Sequence, residues 1–334
     1  MARYLVTGCA GFIGSWLTGA LLERGERVRG FDNLETGSRE NLLAAVGQAG
    51  LGAGSGFEGA RGSFDFVEGD LRDADAIARA ARGVEVIFHQ GALPSVPRSV
   101  KDPRPSHTAN LDGTFHLLEA ARAAGVRRVC YAASSSAYGN QPGFPRVETM
   151  TPMPIAPYPV QKLAGELYMR SYWQVYGLET VCLRYFNIFG PRQVPDSPYS
   201  GVMAKFTLQM MQGERPTIFG NGEQGRDFTY VANAVSANLL AAAAPADAVA
   251  GRVFNIACGE RHTLNETFRV LAKLLGFADE PVYGPQRTGD IGDSLADISA
   301  ARAAFGYAPE VGFEEGLRRT VAWYRQHFAA AKVR

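Results

Sequence analysis

Short apolar runs alternate with segments of helical periodicity from the N-terminus to Pro191. Glycine, proline or polar residues flank each run, as is typical of strands buried on both faces of a sheet. Between the runs, apolar residues recur every three or four positions, which predicts amphipathic helices. Parallel strands need such crossovers, so the pattern predicts an α/β protein built on a doubly wound parallel sheet. The six predicted strands cover residues 3–7, 27–31, 64–71, 84–89, 128–133 and 180–186.

The pattern changes after Pro191, where prolines and short mixed elements replace the regular alternation. This change predicts a smaller mixed α/β domain beside the sheet. Two short apolar runs, 226–231 and 253–257, flank a helical segment and are expected to return to the first domain. Seven glycines within 47–62 predict a surface excursion to which we assign no chemistry. The predicted first domain is 1–186 with 225–258 returning to it, and the predicted second domain is 187–224 with 259–334.

Composition and charge narrow the function classes. Hydrophobic residues make up 46% of the 334 residues and the formal net charge is +1, so neither a nucleic-acid partner nor a membrane surface is expected. No apolar run approaches the length of a membrane span, and no signal peptide is expected before the first strand, so the expected location is cytoplasmic. The cysteines lie far apart without a C-x-x-C pair, so neither a disulfide nor a metal site is expected at Cys9, Cys130, Cys182 and Cys258.

A glycine-rich turn follows the first predicted strand and opens the first predicted helix. Gly8 permits the tight turn, Gly11 lets backbone N–H groups approach a pyrophosphate, and Gly14 lets the helix pack on the strand. The spacing is G-x-x-G-x-x-G, and Phe12 and Ile13 lie inside it. A strand, a glycine turn and a helix start together predict a cradle for the phosphates of a dinucleotide.

Acidic residues end the second and third predicted strands. Asp32, followed by Asn33, can accept hydrogen bonds from a ribose 2′-hydroxyl and would repel a 2′-phosphate, so NAD is favoured over NADP. Asp70, followed by Leu71, could reach the adenine. Ligands bind at the carboxyl ends of parallel strands, so these residues are candidates for the cofactor site.

Tyr158 and Lys162 lie four residues apart at the start of a predicted helix and therefore share one face. An ammonium group beside a phenol is expected to lower the pKa of Tyr158 from about 10 towards working pH. Such a tyrosine could move a proton to or from a sugar or alcohol hydroxyl. The serine run 134–136 places further hydroxyls where a predicted strand ends, whereas His89 ends an apolar run and is expected to be a packed residue.

These features together resemble the extended short-chain dehydrogenase/reductase family over essentially the whole chain. Within that family the chain resembles NAD-dependent nucleotide-sugar epimerases, above all bacterial UDP-N-acetylglucosamine and UDP-glucose 4-epimerases. The resemblance implies a Rossmann-type sheet with a C-terminal substrate domain, bound NAD, and a homodimer formed through a four-helix interface of 111–124 and 159–176. The residues that carry it are the three glycines, Asp32, Asp70-Leu71, Asn110-x-x-Gly113-Thr114, the serine run, Tyr158-x-x-x-Lys162, Tyr185-Phe186-Asn187-x-x-Gly190-Pro191, Arg226-Asp227-Phe228-x-Tyr230-Val231 and Arg287-x-Gly289-Asp290.

The resemblance implies a role for each matching residue. Tyr158 would be the acid/base at the sugar C4 hydroxyl, and Lys162 would lower its pKa and hold the nicotinamide ribose. Ser134 or Ser135 would bind the C4 oxygen. In the implied reaction, hydride passes from C4 to NAD, the 4-keto sugar rotates about its diphosphate link, and hydride returns to the opposite face. The further cofactor contacts are Gln90, Ala92, Asn110 and Tyr185, and the further substrate contacts are Ser95, Asn187, Arg226, Arg287 and Asp290.

Two positions bear on the choice of substrate and reaction. Related dehydratases and decarboxylases carry carboxylates where this chain has Ser135-Ser136, and water elimination needs an additional acid and base, so both reactions are disfavoured. Ser294 matches a position that is a bulky tyrosine in relatives restricted to glucose and galactose, which predicts room for a 2-acetamido group. Two alternatives stay open: a UDP-glucuronate 4-epimerase, with Arg98 or Arg192 beside the carboxylate, and a catalytically silent NAD-binding sensor or scaffold.

Overall fold

The structure is a computed structural model that describes residues 3–50, 57–59, 62–194, 201–285 and 293–328. Its strands are β1 (Tyr4–Thr7), β2 (Arg27–Asp32), β3 (Phe57–Gly59), β4 (Gly62–Glu68), β5 (Val86–His89), β6 (Arg128–Ser134), β7 (Glu179–Tyr185), β8 (Ile188–Phe189), β9 (Thr217–Phe219), β10 (Gly225–Arg226), β11 (Thr229–Tyr230), β12 (Arg252–Ile256), β13 (His262–Thr263) and β14 (Val282–Gly284). Eight of them form the central sheet, in the order β12-β7-β6-β5-β1-β2-β4-β3. All neighbours in this sheet pair in parallel except β3, which is antiparallel to β4 at one edge.

The helices are α1 (Phe12–Glu23), α2 (Arg39–Gln48), α3 (Ala74–Ala81), α4 (Val96–Lys101), α5 (Pro103–His107), α6 (Gly113–Ala123), α7 (Pro157–Tyr176), α8 (Val202–Met211), α9 (Val231–Ala243), α10 (Ala246–Val249), α11 (Leu264–Leu275), α12 (Ser299–Phe305) and α13 (Phe313–Phe328). A π-helical turn, Thr108–Asp112, joins α5 to α6, and a 3₁₀ turn, Ser135–Tyr138, follows β6. In the part of the chain that the structure describes, no helix is both long and apolar enough to cross a membrane.

The predicted fold class is confirmed, with three corrections to its details. A seventh parallel strand, β12, pairs with β7 at the sheet edge, where the sequence analysis expected only a short returning strand. The third predicted strand ends at Glu68, because Asp73 caps α3 and draws the chain into a turn. The predicted strand 226–231 is two short strands, β10 and β11, which join different partners. The domain limits stay a prediction.

Two apolar layers cover the sheet. Residues of α3, α6 and α7 pack on one face, around Leu117 and Met169, and residues of α1, α2 and α9 pack on the other. A separate aromatic core joins Phe189, Phe228 and Phe313 beside the carboxyl edge of the sheet, and Trp16 of α1 packs against it. The start of α1 therefore lies between the sheet and the C-terminal elements, which is where the candidate site lies.

Candidate active site

The turn between β1 and α1 forms a concave backbone surface at the carboxyl edge of the sheet. Gly8 has a φ of +69°, and a Cβ there would lie 2.7 Å from the Cα of Gly91, so the position requires glycine. A Cβ on Gly14 would overlap the carbonyl oxygen of Gly8. The N-cap of α1 is Gly11, and no side chain caps the helix. Its first N–H groups are therefore suited to bind an anion.

This turn lines a cleft of about 570 Å³, a volume typical of a small-molecule site. Asn110 lies behind the lining, where its amide donates to the carbonyl oxygen of Leu93 at 3.0 Å and accepts from the Leu93 N–H at 2.7 Å. It therefore holds the loop after β5 in place. The cleft brings together nearly all of the predicted cofactor residues: Gly8, Gly11, Phe12, Ile13, Gly14, Asp32, Asn33, Asp70, Leu71, Gln90, Ala92, Tyr158, Lys162 and Tyr185.

Asp32 ties the end of β2 to the glycine turn. Its carboxylate accepts from the backbone N–H of Ala10 at 2.9 Å and of Leu34 at 2.8 Å. Burial raises the pKa of Asp32, and these N–H groups oppose the rise. Because Asp32 also lines the cleft, its remaining acceptor positions can serve a ribose hydroxyl.

Asp70 is held by Arg72, a residue that the sequence analysis missed. The guanidinium of Arg72 contacts both Asp70 and Glu35, and Asn33 donates to Asp70 at 2.7 Å. Hydrogen bonding from Arg72 lowers the pKa of Asp70 to about 2. One arginine thus offsets two carboxylates at this end of the cleft, and no motif in the sequence singled it out.

Tyr158 lies in the first turn of α7 and faces Ser134 at the end of β6. The Tyr158 N–H donates to Ser99 Oγ at 3.1 Å, which fixes the start of the helix. Hydrogen bonding from the Ser134 side chain lowers the pKa of Tyr158 against the effect of burial, and Ser134 Oγ lies 2.7 Å from Ser136 Oγ. Ser135 begins the following 3₁₀ turn. Of the two serines that the sequence left open, Ser134 is the one that lowers the pKa of Tyr158, and the choice between them stays a prediction.

Lys162 lies one turn further along α7 and is 3% exposed. Its Nζ donates to the carbonyl oxygen of Ala132 at 2.9 Å and lies 4.8 Å from the ring centroid of Tyr131. Burial lowers the pKa of Lys162 to about 8. The expected electrostatics are corrected here, because burial raises the pKa of Tyr158 to about 12 and the contact with Ser134 is what opposes the rise.

Gln90, Tyr185 and Asn238 form a closed ring of hydrogen bonds in the floor of the cleft. The Tyr185 hydroxyl donates to Gln90 Oε1 at 3.1 Å, Asn238 Nδ2 donates to the Tyr185 oxygen at 2.6 Å, and Gln90 Nε2 donates to Asn238 Oδ1 at 3.1 Å. Burial raises the pKa of Tyr185, so it is a neutral donor. The sequence analysis named the first two residues and missed Asn238, whose only signal was a polar position within an apolar helix.

Three predicted substrate residues, Asn187, Arg226 and Ser294, are not among the residues that line this cleft. Asn187 Nδ2 donates to the carbonyl oxygen of Asp227 at 3.1 Å and to Ser294 Oγ at 3.4 Å. Arg226 Nη1 donates to the carbonyl oxygen of Gly225 at 2.8 Å. The structure thus brings Asn187 and Ser294 into contact, although 107 positions separate them.

Asp227, which the sequence analysis named only as part of a motif, holds these segments together. Its buried carboxylate accepts from the backbone N–H groups of Cys258 at 2.9 Å, Gly259 at 3.0 Å and Ala296 at 3.2 Å. Burial raises the pKa of Asp227 to about 6, and the three N–H groups oppose the rise. Asp227 therefore joins the turn after β12 to the segment that carries Ser294.

Two predicted substrate residues, Arg287 and Asp290, lie outside the described residues. Ser95 lies in the cleft lining, with a φ of +107°, and its Oγ accepts from the Arg98 N–H at 3.1 Å as the N-cap of α4. Strain of this kind in a non-glycine residue is typical of functional sites. The Ser95 hydroxyl proton can still be donated to a ligand.

Arg192 also lines the cleft, and its contacts could not be predicted from the sequence. Its guanidinium lies 4.4 Å from the ring centroid of Trp16 and donates to Gln48 Oε1 at 3.0 Å. Trp16 Nε1 in turn donates to the carbonyl oxygen of Pro191 at 2.9 Å. The Arg192 side chain is buried, and its Nη1 has no hydrogen-bond partner within the part of the chain that the structure describes.

The geometry of the cleft fits a bound dinucleotide beside the buried Tyr158 phenol. An uncapped helix start behind a glycine turn suits the phosphates, and a carboxylate at the end of β2 suits a ribose. Residues 4–257 match the model of the NAD dependent epimerase/dehydratase family. The chain belongs to this family, which confirms the resemblance to extended short-chain dehydrogenases/reductases and identifies NAD as its cofactor.

Three relatives are similar to the chain over nearly its whole length. The chain is 39% identical to UDP-glucose 4-epimerase of Mycolicibacterium smegmatis, covering 97% of this chain and 98% of that one. It superposes with a TM-score of 0.87 on UDP-glucose 4-epimerase of Thermotoga maritima with UDP-glucose, at 37% identity, covering 97% and 99% of the two chains. It also superposes with a TM-score of 0.87 on UDP-N-acetylglucosamine 4-epimerase of Methanobrevibacter ruminantium, in complex with UDP-N-acetylmuramic acid, at 36% identity over 98% and 99% of the chains.

Proposed function

We propose that the protein is a UDP-hexose 4-epimerase that interconverts UDP-GlcNAc and UDP-GalNAc, UDP-Glc and UDP-Gal, or both pairs. The observation that carries this proposal is the position of Tyr158 and, one helical turn further on, Lys162 in the cleft that the glycine turn also lines, with Ser134 as the hydroxyl that lowers the pKa of Tyr158. A phenol, a hydroxyl and an ammonium group in this order can move one proton at a sugar hydroxyl. The relatives named above support the substrate class.

In this proposal each residue of the chain has one task. Tyr158 takes the proton of the C4 hydroxyl and later returns it, while Ser134 holds the C4 oxygen. Lys162 orients the nicotinamide ribose, and the uncapped start of α1 holds the dinucleotide phosphates. The chemistry that bound NAD supplies is the reversible removal of the C4 hydrogen with its two electrons. Because the hydrogen and its two electrons return to the sugar in every cycle, NAD is regenerated, and we propose that it stays tightly bound.

The small side chain at Ser294 supports acetamido sugars. Ser294 is a small residue in contact with Asn187, which belongs to the group expected to hold the diphosphate. Asp227 holds the segment that carries Ser294 through the Ala296 N–H. We propose that Ser294 faces the sugar, where its small side chain leaves room for a 2-acetamido group.

The test is chromatography of the products formed from UDP-GlcNAc, UDP-Glc and UDP-GlcA by the purified protein, without and with added NAD. We expect conversion of UDP-GlcNAc to UDP-GalNAc without added NAD. Tyr158→Phe keeps the ring and removes the proton-transferring hydroxyl, so turnover should fall by about 10² to 10⁴. Absence of conversion of all three sugars, even with NAD, would refute the proposal.

A UDP-glucuronate 4-epimerase is the second candidate, favoured by one observation. The buried guanidinium of Arg192 reaches the cleft, and its Nη1 lacks a partner among the described residues. A sugar carboxylate would satisfy such a donor. Turnover of UDP-GlcA alone would select this candidate, and normal NAD binding without turnover of any nucleotide sugar would select a silent NAD-binding sensor or scaffold.

We also propose a homodimer through α6 and α7. The outer face of this helix pair exposes Phe115, Val160, Leu167, Tyr168 and Val175, and the exposed fractions of Leu167 and Val175 reach 61% and 66%. The rings of Phe115 and Tyr168 lie 5.7 Å apart, so the patch continues from one helix to the other. An apolar face of this kind on a pair of helices is suited to pairing with its copy. The cytoplasmic location stays a prediction.

A further inference from the structure

Glu166 and Arg184 form a buried ion pair beneath the candidate active site. Arg184 of β7 donates to both carboxylate oxygens of Glu166, from Nε at 2.9 Å and from Nη2 at 2.7 Å. The side chains are only 3% and 4% exposed. Burying two charges costs several kcal/mol for each ion, and apolar residues of similar size are often as stable in their place. Stability alone therefore does not explain why this buried ion pair is present.

A second buried arginine on the same sheet shows what a purely structural pair looks like. Arg128 of β6 donates to Glu179, and it also donates to the carbonyl oxygens of Ala241, Ala242 and Ala244, which end α9. Its contacts are explained by helix capping. Arg184 caps no helix, since beyond Glu166 its guanidinium lies 4.6 Å from the ring centroid of Tyr138.

Glu166 lies one turn after Lys162 on α7, so the two side chains are neighbours on one helix face. Lys162 is buried, which by itself favours loss of its proton. Glu166 is the charged group that opposes this loss, and the bidentate bond from Arg184 opposes the rise in the pKa of Glu166 that burial causes. The order of charges beneath the site is therefore Lys162, Glu166, Arg184.

Among the described groups, Glu166 is the one whose charge raises the pKa of Lys162. Burial keeps His89 of β5 neutral, with a pKa lowered to about 3. It also keeps the phenols of Tyr131 on β6, Tyr158 on α7 and Tyr185 on β7, and the thiol of Cys182, protonated by raising each pKa. On the adjoining helix α6, Glu119 accepts a hydrogen bond from the hydroxyl of Tyr172, which lies towards the far end of α7. The other charged or titratable residues of α4, α5, α6 and the turns between them are Arg98, Lys101, Asp102, Arg104, His107, Asp112, His116 and Arg122.

We propose that Glu166, held ionised by Arg184, is the positioning residue that keeps Lys162 protonated at working pH. This inference rests on the proposed function, because it matters only where Lys162 acts as a cation beside Tyr158 and the cofactor. Neither Glu166 nor Arg184 is among the residues that line the cleft, so both act through Lys162.

The test compares the pH profiles of kcat/KM for UDP-GlcNAc and UDP-Glc between the parent protein and Glu166→Gln. Loss of the carboxylate should lower the pH at which Lys162 loses its proton by about one unit. We therefore expect kcat/KM to fall about tenfold at pH 8.5 and less than about twofold at pH 6.5. Glu179→Gln is the matched control, since it also removes the carboxylate partner of a buried arginine, and its profile should keep the parent shape.

A double variant distinguishes the proposed effect on Lys162 from a general loss of folding. Glu166→Leu with Arg184→Met removes both buried charges, so it should unfold no more easily than the parent and still show the displaced profile. A loss of equal size at both pH values, or an unchanged profile in a folded double variant, would overturn the inference. If the parent turns over no sugar, the proposed function fails, and NAD affinity at the two pH values then decides: weaker binding by Glu166→Gln at pH 8.5 alone supports the role of Glu166, and any other result overturns it.

Discussion

Replacing Gly8 by alanine tests whether the glycine turn owes its shape to backbone conformation or to close packing. Gly8 has a φ of +69°, which costs an L-residue about 1 to 2 kcal/mol. The added Cβ would also lie 2.7 Å from both Cα and N of Gly91, backbone atoms that cannot rotate away. Forcing such an overlap into a packed region costs about 1 to 3 kcal/mol more, so we expect Gly8→Ala to lower the free energy of unfolding by about 2 to 5 kcal/mol.

Gly125 provides a matched control for this prediction. Its φ is +67°, close to that of Gly8, but a Cβ there would meet no atom within 4 Å. Gly125→Ala should therefore show the conformational cost alone, about 1 to 2 kcal/mol. The difference between the two variants in denaturant unfolding isolates the overlap with Gly91.

Calorimetry of NAD binding shows whether the same two variants differ in cofactor affinity. If about 1.4 kcal/mol of the overlap falls on the turn itself, Gly8→Ala binds NAD about tenfold more weakly, whereas Gly125→Ala binds it normally. Equal unfolding free energies for the two variants, together with equal NAD affinities, would show that the turn tolerates a Cβ and that our reasoning is wrong.

Three further predictions follow from the site and its surroundings. Ser294→Tyr should reduce turnover of UDP-GlcNAc at least tenfold more than turnover of UDP-Glc, and equal effects on both sugars would remove the pocket argument. His89, whose pKa is lowered to about 3, stays neutral in the folded protein but gains a proton on unfolding below about pH 6.5. The free energy of unfolding should therefore fall by about 2 kcal/mol between pH 7 and pH 5, and His89→Gln should reduce that fall when it is measured by urea unfolding. Leu167→Glu should yield monomers in sedimentation experiments, whereas Leu43→Glu, on an exposed site of α2, should not; dimers of both would exclude this face.

The regular half of the fold could be predicted because its pattern is local. Each buried strand is a continuous apolar run, and each crossover helix carries its own periodicity. The strand β12 was underestimated because a five-residue run at a sheet edge looks like any short strand until its partner β7 is known. The pair β10 and β11 could not be separated in the sequence, because the buried carboxylate of Asp227 between them takes its partners from segments far along the chain.

The electrostatics of the site were predicted less well than its composition. The spacing of Tyr158 and Lys162 indicates that they share a helix face, but the pKa of a phenol depends on how much protein surrounds it. In the structure burial outweighs any effect of Lys162, whose Nζ is bound to the Ala132 carbonyl. A spacing rule can therefore identify the pair and still give the wrong direction for its pKa.

Two of the residues that could not be predicted from the sequence, Asn238 and Arg184, share a physical feature. Asn238 and Arg184 are buried polar side chains, and each is hydrogen-bonded to a partner on another element. Asn238 reaches Gln90 across 148 positions of sequence, and Arg184 reaches Glu166 across 18. A buried polar group without a partner is costly, so a polar residue inside an apolar run signals that a partner exists. The sequence contains that signal but does not identify the partner. The partner depends on which strands and helices become neighbours in the folded protein.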